Sequence, residues 1–275
     1  MSLPILTHRA APDEHDLLRL FYRSERLWCG HMGEETALEI GSAICNAAHP
    51  AVWDANSMLD LTPAGSTPAA TLAEVEAFYA SKGVRCASVV LNPSLPREAA
   101  EAMAGHLVGL GYRRFAVDVR HTGQPQAPDR PAGLEDVKVI PARASFRHLR
   151  ALVEQWASPL KTPGFAEATM LHYDDPHYDA LLALRGGEAV GHIGVFAMGE
   201  VGRIEDVYVA EPMRGRGLGK LLMERAVEIC RRSLFRHVML SVGPENEPAQ
   251  RLYARFGLRK IGQFQAYRAP WTAEA

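Results

Sequence analysis

The chain has 275 residues, 47% of them hydrophobic and 23% charged, with a formal net charge of -2. That length suits one large or two small domains, each with a core of its own. The near-neutral charge excludes a whole-molecule pull toward nucleic acid, so any basic site has to be local.

The first sixteen residues, Met1 to Asp16, lack the charged-then-apolar pattern of a secretion signal. No apolar run approaches the ~20 residues needed to span a bilayer. The expectation is a cytoplasmic protein with neither a membrane nor a nucleic-acid partner. The cysteines, Cys29, Cys45, Cys86 and Cys230, form no C-x-x-C pair and no tight cluster with histidine. They read as reduced, buried thiols, and no metal is expected.

Residues 13–48 read as largely helical and residues 52–62 as strand-like. "TLAEVEAFYASKG" is a helix ending at Gly83, and "CASVVL" is a strand. "PREAAEAMAGHLVGLG" is a helix and "RRFAVDVR" a strand. A stretch rich in proline and glycine follows and contains nothing periodic. It places a linker over 123–136, between domains at 1–122 and 137–275.

After the linker, "VKVIPA" alternates as a strand. "SFRHLRALVEQWA" carries Phe146, Leu149, Leu152, Val153 and Trp156 on one helical face. "YDALLALR" and "AVGHIGVFAMG" read as a hairpin turned at Gly186 and Gly187. Val201 to Ala210 is a strand, with Glu205, Val207 and Val209 on one side. A helix runs from Gly217 to about Phe235, with Leu218, Leu221, Leu222, Ala226 and Ile229 at helical spacing. "HVMLSV", "PAQRLYARF" and "RKIGQFQAYR" close the chain as strand, helix and strand. The order predicts a mixed α/β (α+β) fold with a largely antiparallel sheet flanked by helices. The closing unit also aligns with residues 86–120. Gly257 falls on Gly111, Tyr253 on Leu107 and Asn246 on Ala100, so the halves read as two copies of one plan.

The segment Arg214-Gly215-Arg216-Gly217-Leu218-Gly219-Lys220 lies between a strand and a helix. Amides at a helix start are unpaired and carry partial positive charge, and glycines admit a ligand close to them. The segment therefore suits phosphates, a glycine-rich turn with solvated arginines being the alternative. It is not a nucleotide-triphosphatase loop, because Leu221 follows Lys220 and Arg214 precedes Gly219 by five. A dinucleotide fingerprint would need glycine or alanine where Lys220 stands.

What remains is R-x-x-G-x-G at Arg214, Gly217 and Gly219. Downstream comes N-x-x-A-x-x-L-Y-x-x-x-G at Asn246, Ala249, Leu252, Tyr253 and Gly257. With these motifs, residues 137–268 resemble the GNAT superfamily of acyl-CoA-dependent N-acetyltransferases. The resemblance implies two GNAT-like domains, the first degenerate, and acetyl-CoA as acyl donor. It implies that the backbone from Gly215 to Lys220 (Gly215, Arg216, Gly217, Leu218, Gly219, Lys220), beside Arg214, holds the pyrophosphate. Main-chain groups of Val207 and Val209, with Tyr208 between them, would meet the pantetheine arm. Asn246 would touch the arm from the far side, and Tyr253 would sit near the sulfur. Tyr253 is then the candidate acid and Glu205 the candidate base. The expected reaction is acetyl transfer to a primary amine of a small-molecule or peptide acceptor, by a monomer or homodimer. A non-catalytic acyl-CoA-binding module is the alternative. "LTPAGSTPAA", where the first half would carry its own cradle, has one glycine and no cation, so only the second half is expected to bind coenzyme A.

Overall fold

A computed structural model describes residues 11–63, 65, 67–126, 128 and 131–272. The first half contributes α1 (Glu14–Gly30), β1 (Glu34–Leu38), β2 (Gly41–Cys45), β3 (Ser57–Leu61), α2 (Pro68–Ser81), β4 (Ser88–Leu91), α3 (Arg97–Gly109) and β5 (Arg113–Thr122). The second contributes β6 (Val137–Pro141), α4 (Phe146–Ala157), α5 (Phe165–Met170), β7 (Tyr178–Arg185), β8 (Glu188–Met198), β9 (Val201–Val209), α6 (Leu218–Arg232), β10 (His237–Val242), α7 (Glu247–Arg255) and β11 (Arg259–Arg268).

In place of a separate sheet for each half, the strands form one 11-stranded sheet in the order β1-β2-β3-β4-β11-β5-β10-β9-β8-β7-β6. The β3–β4 and β9–β10 junctions are parallel and the others antiparallel. The final strand of each half lies at the centre. There β5 and β11 pair along their length, from Arg113↔Arg268 to His121↔Arg259. β11 also borders β4 of the first half, and β5 borders β10 of the second. Each half thus completes the other's sheet.

Neighbouring strand residues divide between the two faces. Val89 of β4 and Leu240 of β10 pack under α2–α3 and α6–α7, whereas Val90 and Met239 pack under α1. Trp28 of α1 joins the core formed by α4 and β7. The roof on that face therefore comes from both halves.

The helical expectation for residues 13–48 holds only to Gly30. The remainder is the β1–β2 hairpin, with Glu34 opposite Cys45 and Leu38 opposite Gly41. Glu, Ala and Leu in that segment favour helix, but at a sheet edge cross-strand pairing outweighs local propensity. In the β7–β8 turn, Gly186 and Gly187 take φ of 60° and 89°, as the hairpin reading requires.

Candidate functional site

β9 and β10 pair only from Val201↔His237 to Arg203↔Met239. Beyond that point the strands part, and Ile204 to Val209 keep a strand neighbour only in β8. The cause is a bulge. Gly194 of β8 faces Glu205 and His192 faces Tyr208, so Asp206 and Val207 together oppose Ile193. Asp206 sits at φ 54°, the left-handed region. Two phenols hold it there: Tyr173 and Tyr178 donate to Asp206 Oδ2 at 3.0 and 2.8 Å.

The bulge corrects the alternation expected along β9. Glu205 and Val207 do not share a face. Val207 and Val209 pack with Ile204 on the α6 core, while Glu205 pairs with Arg203 on the α1 side and Tyr208 packs with the α4 core. What Val207 and Val209 offer to the parted side of the strand is backbone.

α6 begins where β9 ends. Its N-cap is Gly217, at φ 85°, and no side chain bonds the first turn. The amides of Leu218, Gly219 and Lys220 have no preceding helical carbonyl to reach. A Cβ at Gly217 would stand 2.9 Å from Pro131 Cβ, so a side chain there is excluded twice, by space and by φ. Gly215, at φ 73°, faces open space. Arg214 and Arg216 are exposed, and Arg214 Nε donates to the Val209 carbonyl at 3.2 Å. Leu218 is buried in the core, so only its amide is available. On the other side of the gap Asn246 caps α7, its Oδ1 accepting from the Ala249 amide at 3.2 Å. Its side-chain NH₂ is not used in that cap.

The gap opens into a cavity of ≈ 430 Å³ at the centre of the sheet. Among the expected site residues Glu205, Val207, Asn246 and Tyr253 line it. The 214–220 loop, Tyr208 and Val209 do not; they stand at the outer end of the gap. Glu205 and Glu25 flank Arg203, Glu25 Oε2 lying 2.6 Å from its Nη2. The Arg203 guanidinium lies over the Phe21 ring, 4.5 Å from its centroid. Burial pushes Glu205 up to about 7, against the pull of Arg203 and with help from Asp206 and Glu25. Burial, then the charge of Glu205, raises Tyr253 far above an ordinary phenol. The pair thus presents a carboxyl titrating near neutrality and a phenol that keeps its proton.

The first half supplies cavity residues that sequence reasoning assigned to packing or passed over. Trp28, Cys29 and Asp54 all line it, as does Arg268 of β11. Burial and the Glu25 charge push Asp54 up to about 7. Glu25, Cys29 and Asp54 bring one ligand atom each within 4.8 Å of one another. Glu25 is already committed to Arg203, and burial holds the Cys29 thiol protonated, so the set is poorly suited to a cation. Arg268 carried a signal that went unread: it shares a strand face with Phe264 and Ala266, where an apolar residue is the rule. His172 stacks on Trp28 with centroids 3.5 Å apart, and its Nε2 meets the Trp28 carbonyl at 2.9 Å.

Residues 147–258 match the model of the Acetyltransferase (GNAT) family. These residues form a GNAT acetyltransferase domain. A putative [ribosomal protein bS18]-alanine N-acetyltransferase of Bacillus subtilis is 30% identical over 89 residues, 32% of this chain and 59% of that one. An aminoalkylphosphonate N-acetyltransferase of Salmonella typhimurium is 33% identical over 92 residues, 31% of this chain and 60% of that one. The chain therefore spans little more than half of the curated relatives it matches. The fold extends further than the family match. A GCN5-related N-acetyltransferase from Kribbella flavida superimposes with a TM-score of 0.62 over 91% of this chain and 95% of that one, at 16% identity. A tandem GNAT protein from the clavulanic acid biosynthesis pathway gives 0.52 over 76% and 72%, also at 16%. The GNAT domain holds the parted strands, the bulge, the open start of α6 and Tyr253. Glu25, Asp54 and Arg268 fall outside its matched residues.

Proposed function

We propose that this chain is an acetyl-CoA-dependent N-acetyltransferase that uses the gap between β9 and β10 as its acyl-donor site. The carrying observation is continuity: uncapped amides at Leu218–Lys220, a strand from Ile204 to Val209 with a neighbour on one side only, and Glu205 and Tyr253 in the cavity lie along one path. An extended pantetheine arm would pair with the β9 backbone as an added strand does. Its pyrophosphate would rest on the amides from Gly215 to Lys220, with Arg214 and Arg216 as outer cations. The NH₂ of Asn246 would reach the arm from the opposite wall.

The residues in the cavity fit the proton balance of acyl transfer. The acceptor amine, with a pKa near ~10, has to lose a proton to attack. Glu205, directly or through water, takes it, and a carboxyl titrating at about 7 is matched to neutral pH. The new N–C bond forms as the C–S bond breaks, and Tyr253 gives its proton to the departing sulfur. A backbone amide near Val207 donates to the oxygen on which negative charge develops. One relative is named for a ribosomal-protein alanine, as a putative enzyme, and another for aminoalkylphosphonates. Those acceptors differ, so the supported class is a primary amine.

In this reading the first half binds no second donor. Titration calorimetry with acetyl-CoA, with ATP as control, is the test, paired with thiol release across a panel of amines. One saturable site per chain and turnover of at least one amine are expected. Binding without turnover would instead mark an acyl-CoA-binding module, and no binding would remove the donor site.

A further inference from the structure

Arg268 is 8% exposed and lines the cavity, yet its Nε is buried with no partner. Among the described residues its guanidinium makes no ion pair and donates no hydrogen bond to the protein. Two aromatic faces clamp it instead. Its Cζ lies 3.9 Å from the Trp53 ring centroid and 3.8 Å from that of Phe115. The clamp fixes the plane of the fork while leaving its donors uncommitted.

This is costly unless something completes it. A buried charge is stable when paired and hydrogen-bonded, and stacking supplies neither donor nor acceptor in the guanidinium plane. The other arginine of the cavity shows the difference, since Arg203 is held between Glu25 and Glu205. The carboxylate that acts most strongly on Arg268 is Asp54, which makes no ion pair with it and which burial drives toward its neutral form. Among the described residues the cavity therefore contains one planar cation, Arg268, without an oxyanion, while Asp54 and Asp206 line it without an ion pair. A carboxylate on the ligand supplies the partner that Arg268 lacks. Arg forks match carboxylates in a bidentate geometry that a lysine or a backbone amide does not reproduce.

We infer that the acceptor is a small amino acid whose carboxylate is bound by Arg268 between Trp53 and Phe115, its amine being directed to the Glu205 end of the cavity. This rests on the acyl-transfer reading above and narrows its acceptor from primary amines in general to amines that carry a carboxylate. Trp53 and Phe115 come from the first half and Arg268 from the last strand, so the first half takes part in acceptor choice. Arg268 touches the acceptor in this proposal but no reacting atom. The ≈ 430 Å³ cavity, shared with the acyl end of the donor, favours a free amino acid over a folded protein.

The experiment uses the full chain and matched pairs: L-leucine with isopentylamine, L-phenylalanine with 2-phenylethylamine, and L-methionine with 3-(methylthio)propylamine. Equilibrium binding is read from tryptophan fluorescence, since Trp53 lies against the site, and turnover from thiol release with acetyl-CoA. At least one amino acid is expected to bind and turn over about thirtyfold or more better than its decarboxylated partner. Arg268→Gln should abolish that preference, and Arg268→Lys should retain part of it, while both still bind acetyl-CoA as the parent does. The acetyl-CoA titration reports whether each variant is folded; if Arg268→Gln is not, Arg268→Lys decides, because it keeps the charge and loses the fork. Equal use of both members of every pair overturns the proposal, as does binding of no amino acid in the panel. An amino acid that binds through Arg268 without acetyl transfer would keep the carboxylate site and defeat the acyl-transfer reading alone.

Discussion

β3 and β4 stay paired to Leu61↔Leu91, and the Asn92 amide then donates to the Leu61 carbonyl at 3.1 Å; β9 and β10 part after Arg203↔Met239. The helices that follow differ in the same sense. α2 has Pro68 in its first turn and is capped by Thr67, whose Oγ1 accepts from the Ala70 amide at 3.2 Å. α6 starts at Gly217 with no side-chain cap. Yet the plan is shared. Asp60 takes φ 55° where Asp206 takes 54°, and Gly111 takes 86° where Gly257 takes 81°. Both pairs are separated by the same stretch of chain. The bulge alone, then, does not open a sheet. The first half keeps it, closes the gap and satisfies its backbone internally. The second leaves amides and carbonyls unpaired beside a cavity, which is stable only where water or a ligand completes them.

The sharpest way to break this comparison is at the position where α7 carries Tyr253 and α3 carries Leu107. Tyr253→Phe is expected to lower kcat by about 10²–10⁴ with little change in stability. Leu107→Ala, at a fully buried site, is expected to lower stability by about 2–5 kcal/mol and leave the chemistry to the folded fraction. A full rate in Tyr253→Phe at saturating substrate removes the phenol as the acid.

Next in size is the loop. Gly215→Val forces a branched side chain to φ 73°, a strain of order 1–3 kcal/mol that the free loop sheds by relaxing and that binding has to restore, for an up to roughly 5–150-fold weaker hold on acetyl-CoA. Gly65, at φ 71° in the first half's loop, gives the contrast, since Gly65→Ala should leave the affinity alone. Equal losses from both would mean that both loops bind the donor.

Acidity should separate Glu205 from its surroundings. Because burial raises it to about 7, the base is lost as pH falls through that value, and kcat should drop about tenfold per unit below it. Asp54 titrates in the same range, so the wild-type midpoint belongs to the group of carboxyls. In Glu205→Gln the rate should be low and without that limb. A limb that persists unchanged in the variant passes the proton to another group.

The smallest effect tests the closed half. Thr67→Ala removes a cap and should cost about 1 kcal/mol, read by denaturant unfolding, with no change in acetyl-CoA affinity. A gain of a second coenzyme site in that variant would show that capping is what silences the first half.

Apart from the six-residue α5, the helices and strands after residue 50 were legible because their periodicities are long and their ends are marked: Gly83 after α2, Gly186–Gly187 between β7 and β8, Gly257 after α7. β1 was not, since its helix-forming composition is overruled by a neighbour in another part of the chain. Of the proposed site, the 214–220 segment and Tyr253 were readable as spacing on single elements. Glu205 shares the face of Arg203, two residues before it on the strand, but that Val207 leaves this face was not readable, because the bulge that turns it away depends on register with β8.

The sequence by itself determined where helices start bare or capped, since a cap is a local choice between Gly217 and Thr67. It also aligned Gly257 with Gly111, and both take positive φ. Only the tertiary structure decided that the last strands of both halves lie together at the sheet centre, and hence that Trp53, Phe115 and Arg268 meet. Phe115 and Arg268 are brought together by strand pairing across more than a hundred residues of chain, Trp53 joins them from the turn ahead of β3, and no local spacing encodes such a contact.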